Sequence, residues 1–347
     1  MMLPDHIRIS AWPENDLVEF ITKKRYSQSC VLADTNTVIH CYPRLKPVLP
    51  AHKVIQIPAG ESGKTIETCT QVWKALTDQK LDRHSVLIII GGGVAGDLGG
   101  FCASTFKRGI DFILVPTTLL AMADASIGGK LGVDFGFYKN QLGVFREPVM
   151  NLISTSFLST LPADELRSGF AEVVKHALIS DAALWDLIRT KPWKNHDWDN
   201  LVRHSAALKY QVVQQDPLEK GIRKILNAGH TIGHAIETWF LTRQKPVLHG
   251  EAIAAGLICE SFIAWKKNML SQRELNEITG LLLPVFGKLN LPRQYEEIAG
   301  LCYQDKKNKG NTILMALLNG IGRARWDVEV SMDEMVDSLT YYGSLHT

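Results

Sequence analysis

At 347 residues, 46% hydrophobic and 21% charged, the chain has the composition of a globular enzyme of one large or two ordinary domains. A net charge of +2 gives no reason to expect nucleic acid or an acidic membrane surface as partner. No apolar run approaches a membrane span, and no basic stretch leads into an apolar core at the N-terminus, so neither a transmembrane helix nor a secretory signal is expected.

The first half alternates short β-branched runs with helix-like segments. Cys30–Ala33, Val54–Ile57, Val86–Ile90, Phe112–Val115 and Asn151–Ser154 read as strands, and Thr65–Gln79 as an amphipathic helix between two of them. That alternation predicts an α/β domain with a largely parallel sheet. Beyond about residue 155 the periodicity turns helical. Thr160-Leu-Pro-Ala-Asp-Glu reads as a helix start with a Thr cap, a Pro in the first turn and acids near the positive end of the dipole. Ala252–Lys267 and Arg273–Leu289 read as further helices, and Thr312–Leu318 as a strand-like run. The expected division is an α/β domain over 1–158 and an all-α domain over 159–347. The six cysteines are scattered without a C-x-x-C pair, which suits free thiols in a reducing cytosol better than a disulfide framework.

Several stretches carry chemistry. Ile88-Ile-Ile-Gly-Gly-Gly-Val-Ala-Gly-Asp runs a strand into a glycine turn whose backbone amides can cradle phosphate, aided by the helix dipole. No acid stands at the end of the next strand, which closes Val115-Pro-Thr-Thr. Asp34, ending an earlier strand, is the better candidate for a ribose hydroxyl. Lys130 and Lys139-Asn140 flank a glycine-rich loop and suit an anion. Glu172, in the apolar run Phe170-Ala-Glu-Val-Val-Lys, must be paired with Lys175 or bound to a cation, because an unpaired buried charge is costly. Lys209, Glu219 and Arg223 read by default as a solvated face, and Asp305-Lys-Lys-Asn-Lys-Gly as an exposed basic turn. His230, His234 and His249 lie within twenty residues, and spacing alone pairs His230 with His234 on one helical face.

In order along the chain, G-G-G-V-A-G-D, V-P-T-T, D-A-S-I-G-G-K with the later K-N, G-F-A-E-V-V-K, and L-N-A-G-H-T-I-G-H-A-I-E with L-H-G-E resemble the 3-dehydroquinate synthase family of sugar phosphate cyclases. The resemblance runs from about residue 30 to about 325. It implies a cytoplasmic, homodimeric enzyme of aromatic amino acid biosynthesis, the shikimate pathway. An NAD-binding α/β domain and a helical metal domain would share the active site. The metal, zinc or cobalt, would be held by Glu172, His230 and His249, which moves His234 from ligand to substrate-side histidine.

The resemblance carries NAD contacts to Asp34, Asn36, Gly60, Glu61 and Lys64, and to the turn Gly92, Gly93, Val94, Ala95, Gly96 and Asp97. Thr117, Thr118, Lys130, Lys139 and the segment Phe157, Leu158, Ser159, Thr160 and Leu161 complete that set. Substrate and catalytic contacts carry over to Asp124, Lys130, Asn140, Lys175, Lys209, Glu219, Arg223, Asn227, His234 and Lys306 or Lys307. Arg108 matches an arginine that the family contributes across a dimer interface. The chain departs from the family at Ala125, Leu131 and Asp134, where Ser, Thr and Asn are common, and in the linker Thr242-Arg-Gln-Lys-Pro. The reaction implied converts 3-deoxy-D-arabino-heptulosonate 7-phosphate to 3-dehydroquinate and phosphate. It runs through transient oxidation by NAD, β-elimination, reduction, ring opening and aldol closure. The rival readings are a cyclase acting on sedoheptulose 7-phosphate, a metal-dependent polyol dehydrogenase, and a non-catalytic NAD-binding regulatory protein.

Overall fold

The computed structural model describes residues 3–136, 138–304 and 313–346. The chain divides into two compact units, Met1–Leu166 with Trp198–Tyr210, and Arg167–Asp197 with Gln211–Thr347.

The first unit is built on a six-stranded sheet of β1 (Ile7–Ile9), β2 (Ser29–Asp34), β3 (His52–Ile57), β4 (Val86–Gly91), β5 (Asp111–Pro116) and β8 (Met150–Ile153). The order is β1-β8-β5-β4-β2-β3 and every pairing is parallel. Every residue of β4 is buried, as a central strand covered on both faces requires, which accounts for its unbroken apolar run. Helices α1 (Pro13–Lys24), the single turns α2 (Thr37–His40) and α3 (Tyr42–Leu45), α4 (Ile66–Asp78) and α5 (Gly93–Thr105) connect the strands. The Thr65 hydroxyl caps α4 by accepting from Thr68 N at 3.2 Å. A separate antiparallel hairpin joins β6 (Lys130–Phe135) to β7 (Tyr138–Phe145). Neither that hairpin nor the three-residue β1 was expected from the sequence.

The sheet has a switch point. The chain leaves β2 for β3 on one side, then returns to lay β4 on the other side of β2 and β5 beyond it. Ligands of open parallel sheets bind beyond the carboxyl ends of the strands at such a point. Here those ends are Asp34 on β2 and the glycine turn after β4.

Helices α6 (Ala163–Ser180) and α8 (Trp198–Gln215) each run from one unit into the other. The second unit also holds α7 (Ala182–Arg189), α9 (His230–Thr242), α10 (His249–Lys266), α11 (Gln272–Phe286), α12 (Tyr295–Leu301) and α13 (Met332–Ser344). It is helical, as expected, with one two-stranded hairpin added, β9 (Ile313–Leu318) and β10 (Ala324–Val330). The first of these is the strand-like run read from the sequence. Ser271 with Glu274, and Ser331 with Glu334, form capping boxes at the starts of α11 and α13. The expected Thr160 cap is corrected. The helix begins at Ala163, with Leu166 N donating to Pro162 O, so Thr160 lies too far upstream. Its hydroxyl donates back to Phe157 O and closes a 3-10 turn over Thr155–Thr160.

Among the described residues no helix is long and apolar enough to cross a membrane. All six cysteines are free and buried.

Candidate functional site: a glycine turn and a histidine–carboxylate centre

The first unit collects its polar groups around the glycine turn. Strand β4 ends at Gly91, Gly92 takes the cap position, and α5 starts at Gly93 with no side chain capping it. The first-turn amides are therefore left to an anion or solvent. A Cβ at Gly91 would lie 2.4 Å from the Ala95 Cβ, so only glycine lets strand and helix meet this closely. Beside the turn, Asp34 Oδ1 accepts from Asn36 N at 2.8 Å and Thr37 N at 2.9 Å. The Thr37 hydroxyl donates to Ile90 O at 2.9 Å and ties this corner to β4. Thr117 N donates to Gly91 O, and the Thr118 hydroxyl accepts from Ala121 N.

Lys64 is buried among oxygens. Its Nζ lies 2.6 Å from Asp97 Oδ2 and 2.6 Å from Asn140 Oδ1. Burial disfavours its charge, but Asp97, with Glu61 and Asp134, outweighs that and holds the ammonium above its ordinary pKa. Burial raises the Asp97 carboxyl, opposed by Lys64. Lys64 follows the 3-10 turn Glu61–Gly63, which Gly60 enters at φ 87°, and Glu61 faces Lys139 at 3.6 Å. Asp134 Oδ1 accepts from Asn140 N at 2.7 Å, so this departure from the family fixes the neighbouring backbone. Ala125 lies where a Cβ on Gly93 would meet it at 3.3 Å, and Leu131 is part of the core. Lys130, the exposed first residue of β6, lines the pocket at the turn together with Gly91, Gly93, Gly96 and Asp97.

Lys209 corrects the solvated-face reading. It is buried, and its Nζ reaches Asp124 Oδ2 at 2.9 Å and Asp124 O at 2.6 Å. Phe157 and Leu158 are buried, Ser159 and Thr160 exposed, and Leu161 half-buried. Arg108 is exposed, at φ 66°.

The second unit gathers the histidines. Glu172 and Lys175 lie on α6, both 1% exposed. Glu172 Oε1 faces His249 Nε2 at 3.3 Å and His230 Nε2 at 3.5 Å, while Oε2 pairs with Lys175 Nζ. One ligand atom from each of Glu172, His230 and His249 falls within 4.8 Å of the others, the spacing of a small cation site. The tautomers suit it. His230 Nδ1 lies 3.1 Å from Ala228 O, which can only accept, so Nδ1 carries the proton and the Nε2 lone pair is free to coordinate. His249 Nδ1 lies 3.5 Å from Glu237 Oε2 and likewise turns Nε2 toward Glu172. Burial, then Lys175, holds His230 well below the usual imidazole range. Burial also opposes charge on His249, but Glu172 and Glu237 outweigh it and raise that group to about 9.

His234 is exposed one turn along α9, its ring 5.0 Å from that of His230 and 5.9 Å from that of His249. The pairing of His230 with His234 suggested by spacing is not the one that faces Glu172. His234, Glu237 and His249 form a second, more open group whose ligand atoms also come within 4.8 Å.

Arg223 again overturns the solvated-face reading. At 1% exposure it sits in a 3-10 turn over Ile222–Asn227, its Nη1 donating to Pro217 O at 2.6 Å. Asp216 holds that loop by accepting from Lys220 N, Gly221 N and Arg223 N. Asn227 Nδ2 donates to Glu219 Oε1 at 2.7 Å, and Glu219 is half-buried. Lys306 and Lys307 lie outside the described residues. Sequence reasoning missed Asp216, Glu237 and Glu260. The last two had a signal, since each carboxylate directly follows apolar residues within a helix, Ala235-Ile236 before Glu237 and Leu257-Ile258-Cys259 before Glu260.

A profile described as 3-dehydroquinate synthase N-terminal matches residues 54–168, and one described as 3-dehydroquinate synthase C-terminal matches residues 169–308. The 3-dehydroquinate synthase of Parabacteroides distasonis is 36% identical over 339 residues, 95% of each chain. The chain belongs to the 3-dehydroquinate synthase family. The enzyme of that name from Nitratiruptor sp. is 41% identical over 297 residues, 84% of this chain and 83% of its own. Among solved structures, 2-epi-5-epi-valiolone synthase from Streptomyces hygroscopicus subsp. jinggangensis 5008, with NAD+ and Zn2+ bound, superposes with a TM-score of 0.86. It is 25% identical, covering 99% of this chain and 97% of that one.

Proposed function

We propose that this member of the family works as a 3-dehydroquinate synthase, an NAD- and divalent-metal-dependent enzyme. It converts 3-deoxy-D-arabino-heptulosonate 7-phosphate to 3-dehydroquinate and phosphate. The observation that carries the reading is the convergence of Glu172 Oε1 on the Nε2 atoms of His230 and His249, in a chain related over 95% of its length to enzymes of that name. We take 1–158 as the part that serves the dinucleotide and 159–347 as the part that serves the cation.

When bound, NAD+ supplies a reversible hydride acceptor and the cation supplies Lewis acidity toward a substrate hydroxyl. The side chains supply position and charge. Glu172, His230 and His249 hold the cation, Lys175 steadying the second Glu172 oxygen. The open first turn of α5 receives the pyrophosphate, Asp34 a ribose hydroxyl, and Lys64, paired with Asp97, fixes the wall of that pocket. Lys130, Asn140 and Lys175 hold the substrate phosphate, and Arg223 and Asn227, with Lys306 or Lys307, the carboxylate. Glu219 orients Asn227 at 2.7 Å. His234, exposed beside the cation ligands, moves the proton of the hydroxyl to be oxidised. Asp124 is held in place by Lys209 at 2.9 Å. Homodimer formation, with Arg108 reaching a partner copy, and a cytoplasmic location complete the proposal.

The deciding experiment measures phosphate release and identifies the carbocyclic product from the heptulosonate phosphate, with and without chelator. Phosphate release with no NADH accumulation, abolished by chelator and restored by Zn2+ or Co2+, is the expected result. Accumulating NADH would make the chain a dehydrogenase, and a preference for sedoheptulose 7-phosphate would make it the other kind of cyclase.

A further inference from the structure

Helix α10 carries a carboxylate that the proposed reaction does not use. Glu260 is 3% exposed, in a run of Ala, Ile, Leu and Cys. It aims across the α9–α10 crossing. Its Oε2 accepts from Gly229 N at 2.5 Å and its Oε1 from Ile232 N at 3.1 Å. Gly229 is the cap residue of α9, at φ 78°, and has no side chain to cap with. Glu260 therefore does from a neighbouring helix what a capping box does within one: it satisfies the cap amide and the third amide of the helix at once. The approach is possible because Gly256, one turn earlier on α10, meets the backbone of α9. A Cβ there would lie 2.1 Å from Gly229 O and 2.7 Å from Gly233 N.

The amide that Glu260 takes belongs to the Ala228–Gly229 peptide group. The carbonyl of that same peptide accepts the His230 Nδ1 proton at 3.1 Å. Carboxylate, peptide and imidazole thus form one line of hydrogen bonds. A full charge at the amide end polarises the peptide, strengthens the carbonyl as acceptor, and so makes Nε2 a better donor. His249 has Glu237 directly against Nδ1, at 3.5 Å.

We propose that Glu260 is the positioning carboxylate of the metal ligand His230, acting through the Ala228–Gly229 peptide group. It sets both the orientation of the ring and the basicity of Nε2. The inference rests on the assignment of Glu172, His230 and His249 to the cation.

The test uses the full chain, stripped of metal with chelator, and Co2+ as probe. Wild type, E260Q, E260D and H230A are titrated with Co2+ by visible absorption, and with NAD+ by equilibrium dialysis. Glutamine keeps the shape, removes the charge and turns an amide toward a donor. Removing a partner of a metal-bound histidine weakens metal binding about 10- to 100-fold. E260Q is expected to lose Co2+ affinity on that scale, with shifted d–d bands and NAD+ affinity within about twofold of wild type. E260D, which keeps the charge, is expected to fall between the two. Wild-type Co2+ affinity and spectrum in E260Q overturn the proposal, as does a parallel loss of NAD+ affinity, which would make the role one of general stability. If E260Q does not fold, the same two outcomes in E260D decide. Unchanged Co2+ binding in H230A instead sinks the ligand assignment itself, independently of Glu260.

Discussion

Gly250→Ala is the sharpest test of how the metal centre is assembled. Gly250 follows His249 at the start of α10, and its N–H donates to the Ser168 hydroxyl at 2.9 Å. Ser168 lies one turn before Glu172 on α6, so this contact sets the spacing between two of the three ligands. A Cβ on Gly250 would stand 2.1 Å from Ser168 O, 2.5 Å from its Cα and 2.6 Å from its carbonyl carbon. All three are backbone atoms, so no rotamer relieves the clash, and the helices must part by about 1 Å to reach even a tight contact. Overpacking of this kind costs about 1–3 kcal/mol, and the strained or lost hydrogen bond about 1 kcal/mol more. The expected sum is roughly 2–4 kcal/mol, a fall in Tm of about 4–16 °C for a unit of this size. Metal ligands tolerate displacements of only about 0.2 Å, so Co2+ affinity should fall at least about tenfold. Gly280→Ala is the control. It sits in α11 with no atom within 4 Å of a Cβ, so alanine there should add about 0.5–1 kcal/mol. Thermal melts and Co2+ titrations of both variants read the difference. A G250A protein that melts and binds Co2+ like wild type would refute the argument that the helix contact holds the centre.

Arg223→Ala should lower kcat/KM on the heptulosonate phosphate by about one to two decades, the worth of a charge-assisted contact of roughly 1.5–3 kcal/mol; steady-state kinetics beside an exposed arginine variant such as Arg83→Ala check it. Lys64→Met leaves the half-buried Asp97 carboxylate without its nearest cation, so NAD+ affinity measured by dialysis should drop while Co2+ affinity holds; loss of both would point to unfolding. Asp216 is held below its ordinary value: burial raises it, and the backbone amides of Gly221, Lys220 and Arg223 lower it further than that. Its folded pKa is depressed, so its contribution is present above the unfolded value near 3.8 and is lost as pH falls through the folded one. The urea midpoints of wild type and Asp216→Asn should therefore differ at neutral pH and converge in acid; a constant gap down to pH ~2 would contradict the assignment.

The parts legible in the sequence are those whose signal is local. Five of the six sheet strands announce themselves as short β-branched runs, and β4 is apolar throughout because both its faces are covered. The glycine turn is legible because close contact with Ala95 excludes any side chain. β1 was not legible, since three residues carry no period, nor was the β6–β7 hairpin, where Gly132, Asp134 and Gly143 interrupt the alternation. Spacing misled at the histidines. It places His230 and His234 on one helical face, but the third helix, carrying His249, decides which ring turns toward Glu172. The burial of Lys209 and Arg223 was hidden for a related reason. The oxygens that receive them, on Asp124 and Pro217, come from outside the local helical period.

The order of the sheet also sets a schedule for synthesis. Ile7 on β1 pairs with Asn151 on β8, so the first strand made has its partner only after nearly the whole sheet has been translated. At 5–20 residues per second that is a wait of roughly 7–30 s. Until β8 arrives, β1 lacks its sheet neighbour, and once β8 forms, β1 is the strand paired along its outer edge. A nascent chain that lost β1 would present the fully buried residues of Met150–Ile153 as an open edge, the form in which sheets join to other sheets.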